Sequence, residues 1–351
     1  MNKSLVVVAG GTGGHIFPGI AVAHYLQAKQ WQVSWIGTDD RMEADVVPKH
    51  GIEIDFIRAQ GVRGNGIKRL IKAPFMVAKA FLDARHILKQ RRPCAVLAMG
   101  GYVTGPVGLA AKSLGIPLVI HEQNAVAGMT NKLLAKLASS CLGAFPEALP
   151  QQNFKVVGNP VRESLMNISE PVVSSPINVL VVGGSLGAQV LNDTLPDVFA
   201  SLHANYPLSV WHQTGKGRSS AVHEQYQTHK LDAKASEFID DMDAAYAWAD
   251  IVICRAGALT VSEIAAAGRM ALFVPFPHAV DDHQTANASY LVENEAALCR
   301  QQSDFNVQSV TELLAPYFQQ PELMTEMGKR ARALAKLDAT QQVAQECEQY
   351  S

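Results

Sequence analysis

Two stretches about half a chain apart share one grammar, and nothing else in the 351 residues restricts the fold as strongly. Leu5-Val-Val-Val-Ala-Gly-Gly-Thr-Gly-Gly and Val179-Leu-Val-Val-Gly-Gly-Ser-Leu-Gly each run from apolar residues into a glycine-rich turn. An apolar run without alternation reads as a strand buried on both faces, which means a parallel sheet. A glycine turn after such a strand hands over to a helix. Two copies therefore predict an α/β chain of two Rossmann-like, doubly wound parallel-sheet domains.

The remaining pattern keeps that rhythm. Strands are predicted at 32–36, 52–57, 94–99, 117–121 and 154–157, then at 178–182, 208–213, 236–239, 250–254 and 271–274. Helical patterns occupy 19–29, 68–90, 106–114, 128–139, 189–203, 242–248, 259–267 and 283–294, and 322–349 is rich in helix formers. The segment Ser169-Glu-Pro-Val-Val-Ser-Ser-Pro176, after Gly158-Asn-Pro160, reads as a linker. The expected domains are 1–160 and 161–334, with a last helix at about 335–351 returning to the first domain.

Composition removes several function classes. Hydrophobic residues at 48% and charged residues at 18% fit a packed enzyme and not a disordered chain. A net charge of −2 gives no footprint for nucleic acid. Cys94, Cys141, Cys254, Cys299 and Cys347 are odd in number and far apart, which argues against a disulfide framework or structural zinc and for a reducing compartment. The apolar run at 5–8 is too short for a signal peptide or a spanning helix.

Three glycine loops should lie at the carboxyl ends of strands, where open α/β sheets bind ligands: Gly10–Gly14, Gly100-Gly-Tyr-Val-Thr-Gly105 and Gly183–Gly187. Glycine lets backbone N–H groups approach an anion at a helix N-terminus. A nicotinamide or flavin site is disfavoured, because Ile16 stands where the fingerprint's last glycine belongs and the acidic residue about 20 positions on is missing. His15, next to the first loop, can accept a proton near neutral pH, or it can serve only as a hydrogen-bonding ligand or helix cap. Glu263 suits a pair of ribose hydroxyls, or else is an exposed helix charge. Thr260 and Ser262 suit phosphate oxygens or an N-cap. Arg162, at the domain junction, suits a diphosphate, or else a structural ion pair across the linker.

Six motifs in order, GGTGGH at 10–15, GGYVTGP at 100–106, HEQN at 121–124, GNPVR at 158–162, GGSLGA at 183–188 and GALTVSE at 257–263, resemble glycosyltransferase family 28. The resemblance spans residues 5 to about 290. It implies a GT-B fold with an interdomain cleft, and inverting transfer of N-acetylglucosamine from UDP-N-acetylglucosamine to the 4-hydroxyl of the muramyl-pentapeptide of lipid I in peptidoglycan synthesis, giving lipid II and UDP. It implies His15 as general base. Donor contacts would come from Thr12, Gly13, Gly14, Asn124, Arg162, Ser185, Ile239, Ala258, Leu259, Thr260, Val261, Ser262, Glu263 and Gln284, and acceptor-side residues would be Tyr102, His121 and Glu122. No cofactor is implied; enzymes of this fold generally work without a catalytic metal, and the Asp281-Asp282-His283 spacing is poor for zinc. Two departures stand out: Leu186 replaces a common glutamine, and Arg269-Met270, expected to be a loop variation, replaces the usual Leu/Thr-Pro.

A lipid-linked acceptor implies a peripheral enzyme at the cytoplasmic face of the bacterial inner membrane, with other cell-wall synthesis proteins as further partners. In 63–92, Arg69, Lys72, Lys79, Arg85, Lys89, Arg91 and Arg92 interleave with Ile67, Ile71, Phe75, Val77, Phe81, Leu82 and Leu88. Such a helix can lie on an anionic membrane or pack on its own sheet. The rival functions are a UDP-N-acetylglucosamine 2-epimerase on the same layout and a non-catalytic binder of lipid-linked sugar. The epimerase would need acidic groups around the sugar and no acceptor surface, whereas the binder would not need both His15 and Glu263.

Overall fold

The computed structural model describes residues 3–59, 67–146, 148–149, 153–170, 172–184, 187–279 and 282–351, and side chains at 67–73 lie outside the description. The chain divides into two compact units, Met1–Val161 with Lys336–Ser351, and Arg162–Ala335.

In the first unit, seven parallel strands stand in the order β3-β2-β1-β4-β5-β6-β7. They are β1 (Ser4–Ala9), β2 (Gln32–Gly37), β3 (Glu53–Phe56), β4 (Ala95–Gly100), β5 (Leu118–Glu122), β6 (Ser140–Gly143) and β7 (Phe154–Val156). In the second unit six parallel strands repeat the plan as β10-β9-β8-β11-β12-β13. These are β8 (Ile177–Val182), β9 (Leu208–Gln213), β10 (Ala233–Ser236), β11 (Ile251–Cys254), β12 (Met270–Phe273) and β13 (Leu298–Cys299). Strand order reverses direction beside β1 in one sheet and beside β8 in the other. The crevice at such a switch point is where open α/β sheets take ligands.

The central strands are apolar throughout because helices cover both faces; every residue of β1 and β4 is buried. One core lies between the first sheet and α1 (Gly13–Ala28), around Leu5, Val7, Trp35 and Leu97. Val343, Ala344 and Cys347 of the last helix, α14 (Ala339–Glu348), complete it, and Lys155 and Ser140 both bond Glu346. The apolar stripe of α14 is buried in this core, so the chain's end belongs to the first unit. The other face of that sheet carries α3 (Ile67–Arg91), α4 (Thr104–Ser113) and α5 (Met129–Leu134).

Several local expectations need correction. The first helix starts at Gly13, not near 19, so Pro18 lies inside it and leaves Gly14's carbonyl without its helical donor. The strand expected at 236–239 is β10, Ala233–Ser236; Ile239 follows it in a loop. The run 322–349 is two helices, α13 (Glu322–Leu334) and α14, broken where the chain leaves one unit for the other. Arg269 does lie in a loop, just before β12, but it is not a free surface position. It is 2% exposed, and its guanidinium donates to the carbonyls of Tyr246 and Ala247, in the last turn of α9 (Met242–Trp248), and to that of Ser169. A cation is favoured at a helix C-terminus, and here it also satisfies carbonyls that the helix cannot. The five cysteines are all free thiols.

Candidate active site

In the first unit the switch point is built from the turns after β1 and β4. Gly10-Gly11-Thr12 joins β1 to α1, with Thr12 extended at the N-cap and its hydroxyl making no cap bond. His15 N donates to the Thr12 carbonyl at 3.1 Å, and the N–H groups of Gly13 and Gly14 at the start of α1 are the ones in a position that suits an anion. Glu43, at the start of α2 (Met42–Lys49), supports the turn from inside. It is fully buried and accepts from Gly11 N (3.0 Å), Thr38 N (3.1 Å) and Thr38 Oγ1 (2.7 Å). Nothing in the linear pattern singles out Glu43; only the pairing of β2 with β1 brings it beneath the loop.

His15 is half-buried, with Nδ1 2.8 Å from Gln123 Oε1. Its ring lies against the backbone of Gly100, where an added β-carbon would sit 2.7 Å from Nδ1, and Gly100 has φ +116. His121, on β5, is fully buried with Nε2 2.8 Å from the Gly158 carbonyl oxygen, and burial pushes its pKa down to about 4. Glu122 ends the same strand. Its carboxylate accepts from Asn124 N (3.0 Å), Asn124 Nδ2 (3.2 Å), Gly128 N (3.1 Å) and Asn131 Nδ2 (2.9 Å), so it shapes the 123–128 loop. His121 and Glu122, expected on the acceptor side, are thus buried and committed to protein partners. Tyr102, in the turn after β4, is half-buried, and among the described residues its hydroxyl oxygen has no hydrogen-bond partner.

In the second unit the turn after β8 contains Ser185 and Leu186, both outside the described residues. The neighbouring turn, after β11, leads through Gly257 into α10 (Ala258–Ala267), again without a side-chain cap. Ala258 and Val261 face inward, Leu259, Thr260 and Ser262 are half-buried, and Glu263 is largely buried. Thr260 is not the N-cap, and Ser262 Oγ donates back to the Ala258 carbonyl at 3.1 Å.

Glu263 is the best-connected of these residues. Its Oε1 lies 3.1 Å from Arg162 Nη2, and its Oε2 accepts from the Tyr246 hydroxyl at 3.2 Å. Burial raises its pKa, and the Arg162 charge opposes that rise. Arg162 also pairs with Asp243 at 3.1 Å, so its guanidinium bridges two carboxylates. Tyr246, fully buried, and Asp243 carry no distinctive sequence pattern. Ile239 is buried after β10. Gln284, in α11 (His283–Val292), accepts from Phe276 N at 2.9 Å. Asp281 lies outside the described residues. Among the described residues, no three His, Cys, Asp or Glu side chains are grouped to hold a metal ion.

Comparison with known proteins agrees with this layout. Residues 5–142 match the glycosyltransferase family 28 N-terminal domain, and 178–343 match the glycosyltransferase family 28 C-terminal domain. A Pseudoalteromonas translucida (strain TAC 125) protein is 66% identical over 354 residues, covering 100% of this chain and 99% of its own length; an Aeromonas hydrophila protein is 53% identical over 100% of this chain and 98% of its own. Both are named UDP-N-acetylglucosamine--N-acetylmuramyl-(pentapeptide) pyrophosphoryl-undecaprenol N-acetylglucosamine transferase. The crystal structure of Acinetobacter baumannii MurG superposes with a TM-score of 0.87 at 43% identity, covering 99% of both chains. A Neisseria meningitidis UDP-GlcNAc 2-epimerase shares only the fold, at 12% identity, TM-score 0.69, and coverage of 99% of this chain and 100% of that one. Both glycine-loop units fall inside the two matched domains, so the repeated strand-and-turn pattern is the family's own architecture, and the chain belongs to glycosyltransferase family 28.

Proposed function

We propose that this chain is an inverting hexosyltransferase that moves N-acetylglucosamine from UDP-N-acetylglucosamine to the 4-hydroxyl of the muramyl-pentapeptide of lipid I, releasing UDP. The observation that carries the proposal is 66% identity along the whole chain to a transferase named for that reaction. The acceptor oxygen attacks the anomeric carbon, the bond from that carbon to the diphosphate oxygen breaks, and His15 takes the hydroxyl proton. In the second unit, Glu263 takes the ribose hydroxyls, and Thr260, Ser262, Ser185 and the N-terminus of α10 take the diphosphate with Arg162. Ala258, Leu259, Val261 and Ile239 bound the nucleotide, and Gln284 reaches the sugar. In the first unit Thr12, Gly13, Gly14 and Asn124 contact the donor and Tyr102 the acceptor, with His121 and Glu122 acting through the loop they hold.

The test supplies labelled UDP-N-acetylglucosamine and a lipid I analogue to wild type, His15→Ala and Glu263→Ala. Transfer by wild type, with loss in both variants, is expected. Wild type that fails to label the acceptor, or that makes an epimer without acceptor, overturns the proposal.

Membrane contact is part of the same proposal. Among the described residues no helix is long and apolar enough to cross a membrane. On α3, Ala80, Ala84 and Leu88 face the core, and Arg91 is held by Glu53 and Asp55, so these residues are taken. Phe75 (78% exposed) and Leu82 (61%), seven residues apart and so on one face, are left outside with Lys79 and Lys89. Met129 and Leu133 on α5 are also exposed. An apolar face with lysines beside it suits an anionic interface. Phe75→Glu/Leu82→Glu should release the protein from anionic vesicles in a sedimentation assay while transfer to a soluble acceptor persists; unchanged sedimentation refutes the contact.

A further inference from the structure

Beneath His15 lies a chain of hydrogen bonds that runs through Gln123 and His121 to a backbone carbonyl. The Gly158 carbonyl can only accept, so His121 Nε2, 2.8 Å away, carries a proton. A second proton on that ring would make a buried cation, and burial holds the ring neutral down to about pH 4. His121 Nδ1 is therefore a lone pair at neutral pH. The atom facing it, 3.2 Å away, is the Gln123 amide nitrogen, which also lies 3.4 Å from the His121 carbonyl oxygen. Turning the amide over would set its oxygen against both acceptors. The amide orientation is thus determined from below, and Gln123 Oε1 is the atom presented to His15 Nδ1 at 2.8 Å. An oxygen there accepts, so Nδ1 of His15 holds the proton and Nε2 keeps the lone pair.

We propose that Gln123 is a positioning residue that sets the tautomer of His15, with His121 and the Gly158 carbonyl fixing which way its amide points. The proposal rests on His15 being the base and adds which nitrogen does the work: Nε2 receives the acceptor proton, and Nδ1–H stays bonded to Gln123 throughout. The frame is rigid. Gln123 is 1% exposed, and Asn159 Nδ2 donates to its backbone carbonyl at 3.2 Å. Gly158, with φ +88, lies so close to Lys336 that a β-carbon would collide with that side chain, so only glycine fits where this carbonyl is offered. A base in the wrong tautomer offers an N–H where a lone pair is needed, and in a serine-protease triad that error costs roughly 10⁴ in kcat.

The experiment uses the full chain labelled with ¹⁵N-histidine, read by long-range ¹H–¹⁵N correlation near neutral pH, together with kcat and KM for wild type, Gln123→Leu, Gln123→Glu and His15→Gln. Wild type should show His15 protonated at Nδ1 and His121 at Nε2. Gln123→Leu should lose the His15 preference, and its kcat should fall on the order of 10²-fold while KM for UDP-N-acetylglucosamine stays within about threefold. Gln123→Glu keeps an acceptor toward His15 and, as a neutral carboxylic acid, can turn its O–H toward the His121 lone pair, so it should keep the wild-type tautomer and more kcat than Gln123→Leu. Wild-type His15 protonated at Nε2 overturns the proposal outright, even if Gln123→Leu does not fold. A shifted tautomer in Gln123→Leu with unchanged kcat also overturns it. Full kcat in His15→Gln would instead remove the base reading itself, and the wild-type spectrum separates that failure from the first.

Discussion

Arg162 and Glu263 meet at 3.1 Å, so the carboxylate proposed to receive the nucleotide's ribose has a cation at its side. Glu263 is largely buried, whereas Arg162 is 40% exposed and shared with Asp243. Losing Arg162 leaves a buried carboxylate with only the Tyr246 hydroxyl as partner. Full burial would make that loss 3–5 kcal/mol; the exposure of Arg162 brings the expected cost to about 1–2 kcal/mol. Arg162→Ala should lower the urea midpoint accordingly and raise KM for UDP-N-acetylglucosamine about tenfold. Arg162→Lys should recover part of the stability but less of the affinity, because an ammonium lacks the planar fork. Equal KM values for all three proteins would refute a donor role for Arg162.

Gly100 gives the most economical test of the first unit. With φ +116 and His15 Nδ1 2.7 Å from where a β-carbon would lie, alanine there strains the backbone and displaces the imidazole together. Gly100→Ala should cost roughly 1 kcal/mol or more in stability. A displacement of the base by a fraction of an ångström should also lower kcat by on the order of 10²-fold. Parallel melting curves and turnover measurements check both. Normal kcat in a folded Gly100→Ala would show that the ring's position is not critical.

Fold and site differed in how much of each the chain's pattern reveals. Continuous apolar runs such as Leu5–Val8 and Ile251–Cys254 announce central parallel strands, because both faces are covered. Two short strands carry no such signal: β13, at the edge of its sheet, is two residues long, and β6 lies in Ser140–Gly143, where small residues carry no period. Residues next to glycine turns were legible because the turn itself marks the ligand end of the sheet. Glu43, Gln123, Asp243 and Tyr246 were not, since each matters through a partner distant in sequence, as Glu43 does through Gly11 and Tyr246 through Glu263. His121 and Glu122 were legible as a motif but not in their manner of action, which depends on burial.

Glu43 should behave as a support for the loop and not as a ligand contact. Three donors converge on its carboxylate, so Glu43→Ala strands the N–H groups of Gly11 and Thr38 together with a hydroxyl. Leaving these unmet should cost about 3 kcal/mol. Glu43→Gln retains one acceptor and should cost about half as much. Hydrogen exchange at Gly11 and Thr38 should accelerate in both variants while exchange in β9 stays as in wild type. Unchanged protection at Gly11 would refute the support.

Acid should destabilise both units through buried histidines. His121 in the first unit and His212 in the second are fully buried, with pKa values pushed down to about 4 and about 3 from an ordinary 6.5. In each case the unfolded chain binds a proton before the folded chain does. The stabilisation is therefore complete above about pH 6.5 and is lost as pH falls, over the window down to about 4 for His121 and to about 3 for His212. At about 1.4 kcal/mol per unit, each histidine contributes on the order of a few kcal/mol to the loss. Asp250 and Glu263, whose pKa values burial raises, bind protons more readily when folded and offset part of it in the second unit. His212 is therefore best isolated by difference. His212→Gln should flatten the pH dependence of the second unit's urea transition below pH 6.5 by close to one proton and leave the first unit's profile unchanged. If the two unfolding profiles superimpose, His212 is not the group that acid must charge.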